Sequence, residues 1–107
     1  DGRRALGELL AQHPDTDAIF CGADILALGV LMEAAHRGIA VPAQLRVVGY
    51  GDQAFAKDTT PALTTIRIDG TGIGKLAASL LIDRIEHGDE ERRTVDVGFT
   101  LVERDSA

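Results

Sequence analysis

The chain has 107 residues with 11 Lys+Arg against 17 Asp+Glu, a formal charge of -6, 45% hydrophobic residues, three His and one Cys. That length suits one domain with a packed core, and the acidic balance excludes a duplex-reading surface, which needs clustered Lys and Arg to displace counterions. A single Cys excludes an intramolecular disulfide and a multi-Cys zinc site, and no apolar run is long enough to span a membrane.

In chain order, residues 3–12 place Leu6, Leu9 and Leu10 on one helical stripe, which Pro14 stops. The run 18–21 (AIFC) is too short for a helix and reads as a buried strand of a parallel sheet. Asp24 is placed to N-cap a helix over 25–37, where Ile25, Leu28, Met32 and Ala35 recur at helical spacing. Gly38 stops it, and residues 45–50 (LRVVGY) predict a second parallel strand. Strand, helix and strand make a right-handed βαβ unit. A turn-rich stretch from Gly51 to Pro61 leads to a β-branched segment, Thr64 to Ile68. Asp69 can cap a helix over 71–87, with Ile73, Leu76, Ala77, Leu80, Leu81 and Ile85 on one face and Gly88 at its end. The run Asp89 to Arg93 reads as a solvated loop, and the alternation over 94–103 as a strand with Val95, Val97, Phe99 and Leu101 on one side. The pattern is an open α/β sheet, with fewer strands than its helices need. The chain opens Asp-Gly-Arg-Arg, with neither an initiator methionine nor an apolar leader, so it is expected to begin inside a longer protein.

Little in this sequence looks like catalytic equipment. Gly70-Thr-Gly-Ile-Gly-Lys75 brings its third glycine one residue too early for a dinucleotide fingerprint. It also has Asp69 and Leu76 where a phosphate loop requires Gly and Ser or Thr, so it reads as a helix start. His13, His36 and His87 each fall near a predicted helix end, where a cation interacts well with the dipole, and no metal site is expected. Cys21 reads as a small buried hydrophobe. No acid–base pair and no nucleophile with its base can be assembled, so the chain is expected not to be an enzyme and to need no cofactor. Asp24 and Asp52 differ from these, because each follows the C-terminal end of a predicted parallel strand, the edge where open α/β sheets bind ligands. Asp24 can serve as helix cap or border a site, and Asp52 as turn former or ligand contact.

Five segments together resemble the C-terminal part of LacI/GalR-family transcription regulators: Asp17-Ala-Ile-Phe-Cys-Gly-Ala-Asp-Ile-Leu-Ala-Leu-Gly29, Arg37-Gly-Ile-Ala-Val-Pro42, Leu45-Arg-Val-Val-Gly-Tyr50, Pro61-Ala-Leu-Thr-Thr-Ile66 and Leu101-Val-Glu-Arg-Asp-Ser106. With the Ile73-Gly74 helix they cover nearly the whole chain. The resemblance implies a type I periplasmic-binding-protein-like open sheet with flanking helices, incomplete here. Residues 1–62 and about 95–107 would form the C-terminal lobe, and the helix at about 69–88 would belong to the N-terminal lobe. It further implies a small-molecule effector in the cleft, a homodimer, operator DNA read by an N-terminal helix-turn-helix outside this chain, a cytoplasmic location and no membrane association. Ligand contacts would fall at Ala23, Asp24, Gly51, Asp52 and Gln53, and dimer contacts at Leu28, Met32 and Thr59.

Two positions depart from the family pattern. Ala23-Asp24 stands where many members have Asn-Asp, and Gly51-Asp52 where many have Asp-Asp, so two side chains that commonly contact sugar hydroxyls are missing. Gly51 removes a carboxylate that would repel an anion and lets a ligand approach backbone N–H groups. Gly51-Asp-Gln-Ala-Phe55 resembles the variant of gluconate-utilisation repressors. The expected effector is therefore a sugar or sugar acid such as gluconate, with Lys57 or Arg67 available to balance its charge. The alternative is a solute-binding protein of a sugar-uptake transporter, which shares the fold.

Overall fold

A computed structural model describes residues 1–88 and 91–107; the first two residues of the acidic run, Asp89 and Glu90, lie outside the described residues. The elements are α1 (Gly2–Gln12), β1 (Ala18–Phe20), α2 (Asp24–His36), β2 (Arg46–Tyr50), a 3-10 turn (Ala54–Asp58), β3 (Thr64–Arg67), α3 (Gly70–His87) and β4 (Thr100–Val102). The sheet order is β1-β2-β3-β4. The first three strands are parallel and β4 runs antiparallel to β3, with Phe20 opposite Val48, Val48 opposite Thr64 and Ile66 opposite Leu101. Two compact units result, one made of Asp1–Arg67 with Thr100–Ala107 and the other of Ile68–Phe99. Among the described residues no helix is long and apolar enough to cross a membrane.

In the first unit α2 lies against β2 and α1 packs on α2. The core is Leu6 of α1, Ala27, Val30, Leu31 and Ala34 of α2, Val47 of β2, and Leu45, Ala56 and Leu63 from the connections. Two glycines let the helices approach. A Cβ on Gly2 would run into the Leu26 carbonyl, and one on Gly29 would sit 2.9 Å from the Gly2 Cα. Charge adds a second tie: Arg3 Nε donates to Glu33 Oε2 at 3.0 Å and Arg37 Nε to Glu33 Oε1 at 2.7 Å. Both guanidiniums hold the Glu33 carboxyl below its ordinary pKa, Arg37 first and Arg3 second, against a smaller opposing effect of burial.

Four sequence expectations change. The stripe Ile25, Leu28, Met32 and Ala35 does not face the core, since Ile25 and Ala35 are exposed, Leu28 half-buried and Met32 52% exposed. α2 is apolar nearly all round, so periodicity could not choose between its faces, and the smaller residues Ala27 and Ala34 took the core side, where backbone approaches backbone. Asp24 is the first residue of α2 rather than its cap: Ala23 occupies the N-cap position and makes no side-chain cap bond. β1 is not buried on both faces, because it is the sheet edge and Phe20 is 63% exposed. The expected strand over 94–103 shrinks to β4, since β3 ends at Arg67 opposite Thr100 and the ladder between them stops there.

In the second unit α3 begins where the Asp69 carboxylate accepts from the Gly72 N–H at 2.9 Å and ends at Gly88, whose φ of 65° suits glycine. None of its residues is buried, and Leu81, Ile82 and Ile85 are among the exposed apolar side chains.

Candidate ligand-binding edge of the sheet

β1, β2 and β3 are parallel, so the segments that follow them leave the sheet at one edge. That edge gathers Ala23 and Asp24 after β1, Gly51, Asp52 and Gln53 after β2, and Arg67 at the end of β3. Asp24 is fully buried. Its Oδ1 accepts from the Thr65 hydroxyl at 2.6 Å and its Oδ2 from the Gln53 N–H at 2.6 Å. A buried carboxylate that satisfies two donors from separate segments joins α2, β3 and the β2 exit into one piece. Gly49 makes room for it: a Cβ there would strike Asp24 Oδ1 and the Leu63 side chain.

Gly51 takes φ 120°, a conformation that side chains rarely adopt, and a Cβ there would lie 3.9 Å from Asp24 Oδ2. Asp52 follows at φ 50°. Its Oδ2 accepts from Arg67 Nε at 2.6 Å and its Oδ1 from Arg104 Nη2 at 2.7 Å. Burial pushes the Asp52 carboxyl up, but the hydrogen bonds and charges of Arg104 and Arg67 outweigh it and hold the pKa below the ordinary aspartate value. The N–H groups of this turn point inward. Gly51 donates to the Ile66 carbonyl at 2.8 Å, Asp52 to Thr65 Oγ1 at 3.4 Å and Gln53 to Asp24. The expectation that backbone N–H groups here are free for a ligand carboxylate is therefore corrected: the neighbouring strand and Asp24 already use them.

Thus Asp24, Gly51, Asp52 and Gln53 come together with Ala23 at the rim. Arg67 joins them through Asp52, whereas Lys57 pairs with the adjacent Asp58 at 2.9 Å. Thr59 lies apart in the loop before β3, where its hydroxyl donates within reach of the Ala56 carbonyl at 3.1 Å and the Pro61 carbonyl at 2.8 Å. Sequence reasoning missed three residues. Thr65 supplies the hydroxyl under Asp24. Arg104 clamps Asp52 and also donates through Nη1 to the Leu63 carbonyl at 2.8 Å. Ser106 donates to the Val47 carbonyl at 2.6 Å and accepts from the Thr64 N–H at 2.8 Å, pinning the chain end between β2 and β3. Two adjacent threonines at buried positions of β3 were the available signal, since buried hydroxyls require partners. Cys21 is buried as part of the core, which raises its thiol pKa and suits an inert role.

A parallel sheet with loops converging at its C-terminal edge is the architecture of a small-molecule-binding lobe, and the chain belongs to the periplasmic binding protein-like domain family, matched over residues 2–107. It is 41% identical over 98% of its length to the HTH-type transcriptional repressor PurR of Erwinia tasmaniensis, of which it covers 31%. A transcriptional regulator CelR solved with cellobiose superposes with a TM-score of 0.93 at 33% identity, over 99% of this chain and 32% of that one. The transcription regulator GntR from Chromobacterium violaceum superposes with a TM-score of 0.86 at 40% identity, over 98% of this chain and 39% of that one. These relatives are transcription regulators rather than enzymes, and the chain spans about a third of the length of the curated relatives it matches.

Proposed function

We propose that this chain is the effector-binding and dimerising part of a cytoplasmic bacterial transcription regulator of the LacI/GalR type. The observation that carries the reading is the convergence of three separately encoded segments, at Ala23–Asp24, Gly51–Gln53 and Arg67, on one edge of the sheet, tied together by the buried Asp24 carboxylate and, at the surface, by the bond from Arg67 to Asp52. A site so built holds ligand-facing atoms in place before a ligand arrives, which lowers the ordering cost of binding. Asp24 and Asp52 support this edge from behind, since their oxygens are engaged by protein donors, and Gln53 is exposed. Residues 1–62 and about 95–107 form the C-terminal lobe, and the helix at 69–88 contributes to the other.

The effector is a sugar or sugar acid, gluconate being the first candidate. The neighbour solved with cellobiose supports a sugar, and Gly51 in place of a carboxylate supports an acid. The outward apolar face of α2, with Leu28 and Met32, forms the homodimer contact together with Thr59. Operator DNA is read by a helix-turn-helix elsewhere in the protein. Closure of the cleft on ligand respaces the DNA-reading parts, and a coupling of about 1–3 kcal/mol would change operator affinity roughly 5–150-fold. The repressor relatives favour this over an uptake-transporter binding protein.

A thermal-melt panel on the intact protein tests the reading, with aldonates, neutral sugars and purines each at millimolar concentration. A ligand at about 100 times its Kd adds about 2.7 kcal/mol, which raises the melt by several degrees. A shift with aldonates alone is the expected result. A shift with neutral sugars alone keeps the regulator and overturns the sugar-acid effector, and no shift with any class overturns the effector reading itself.

A further inference from the structure

We infer that Arg67 is the specificity-determining residue of this edge, its guanidinium receiving the carboxylate of the effector. The inference rests on the effector-binding reading above and names the residue through which that site would select an acid.

The argument is one of remaining donors. Backbone N–H groups of Gly51, Asp52 and Gln53 are all consumed within the protein. Lys57 pairs with its neighbour Asp58 instead of with any residue of the edge. Arg104 is mostly buried, with 17% of its side chain exposed, and divides its terminal nitrogens between Asp52 and the Leu63 carbonyl. Arg67 differs on both counts. Its side chain is 55% exposed, and among the described residues it donates through Nε alone, to Asp52. Nη1 and Nη2 keep four N–H groups in a planar fork, the geometry that receives a carboxylate through two parallel hydrogen bonds.

Asp52 anchors this fork without neutralising the pair of arginines around it. One carboxylate, kept ionised by its lowered pKa, stands between two guanidiniums, so the cluster of Asp52, Arg67 and Arg104 carries one surplus positive charge. The second carboxylate of this edge, Asp24, is buried and directed at Thr65 and Gln53. At position 51 there is no side chain to repel an anion, and the exposed Gln53 amide is suited to a hydroxyl of the same ligand. Arg104 fixes Asp52, Asp52 fixes Nε of Arg67, and the far side of the Arg67 guanidinium is left for the acid.

Isothermal titration of the intact protein with gluconate, glucose and glucose 6-phosphate tests this, using wild type, R67Q and R67K, with a melt of each variant as the check on folding. The expected result is gluconate binding to wild type that weakens about 10–100-fold in R67Q and by less in R67K, which keeps the charge but loses the fork. Gluconate bound with unchanged affinity by a folded R67Q overturns the role of Arg67 and leaves the sugar-acid reading standing. Glucose binding without gluconate binding overturns both the residue and the acid. Glucose 6-phosphate binding that depends on Arg67, with no response to gluconate, assigns the fork to phosphate and overturns the carboxylate. The absence of binding by all three overturns the effector reading on which the inference rests.

Discussion

Asp24 shows how much one side chain can organise. Its two oxygens take a hydroxyl from β3 and an N–H from the β2 exit, and each is a bond to a charged acceptor in a buried place. Such bonds are worth about 1.5–3 kcal/mol each, and removing the acceptor leaves both donors unsatisfied. Asp24→Ala is therefore expected to lower unfolding stability by about 3 kcal/mol in denaturant titration, and Asp24→Asn by distinctly less, because an amide oxygen remains to accept. Asp52 gives a pH dependence of definite sign. Its folded pKa lies below that of the unfolded chain, so the unfolded chain takes up the proton first. The stabilisation is complete above the ordinary aspartate value of about 3.9 and is lost as pH falls through the depressed folded value. Melting temperatures from pH 6 downward are expected to fall in that acid window. Arg104→Gln should lower stability at pH 6 and flatten the acid-side slope. Glu33, depressed by Arg37 and Arg3, adds a slope of the same sign that this variant leaves in place.

At the scale of elements, α2 carries two apolar faces with different uses. The face with Ala27, Val30, Leu31 and Ala34 is consumed by the core, and the face with Ile25 and Met32 is left outward. The crossing of α1 and α2 depends on the absence of side chains at Gly2 and Gly29. Glycine within a helix costs about 1 kcal/mol relative to alanine, so a helix former at position 29 would gain intrinsically. Overpacking opposes that gain, because the nearest atoms are backbone of α1 and cannot swing aside. Gly29→Leu is expected to lose about 1–3 kcal/mol in unfolding measurements despite its better propensity. A neutral or stabilised variant would mean that the two helices do not cross at these glycines.

For the whole molecule the contrast lies between its two units. The first has a core drawn from both helices, the sheet and the connections. In the second, α3 buries none of its 18 residues. A helix of that length that buries none of its residues is marginal in water, since nucleation is costly and packing normally supplies most helical stability. Hydrogen exchange on this 107-residue chain is expected to find α3 amides far less protected than those of α2. Equal protection would mean that α3 packs against an apolar surface in solution. The sequence foresaw this imbalance, because the apolar stripe of 71–87 exceeded what the available strands could cover.

Much of this protein is decided by its sequence alone. Short-range signals set the elements: Pro14 and Gly88 end helices, Asp69 caps α3, and apolar runs mark the parallel strands, because capping, turn formation and strand preference act over a few residues. The resemblance carried by five segments pointed to a fold that the periplasmic binding protein-like family match bears out, and the ends of β1 and β2 drew attention to Asp24 and Asp52, with Gly51 and Gln53 added by that resemblance. Only the tertiary structure decided what those residues do. It made Asp24 an internal tie instead of a cap and turned the backbone N–H groups of 51–53 inward. It joined Asp52 to Arg104, 52 positions along the chain, and chose the core face of a helix that is apolar all round. The helix face was set by close packing at Ala27 and Ala34, and the other three share one physical reason. A donor or acceptor taken from water requires a partner wherever the fold provides one, and that partner lies across the sheet, beyond the reach of local patterns.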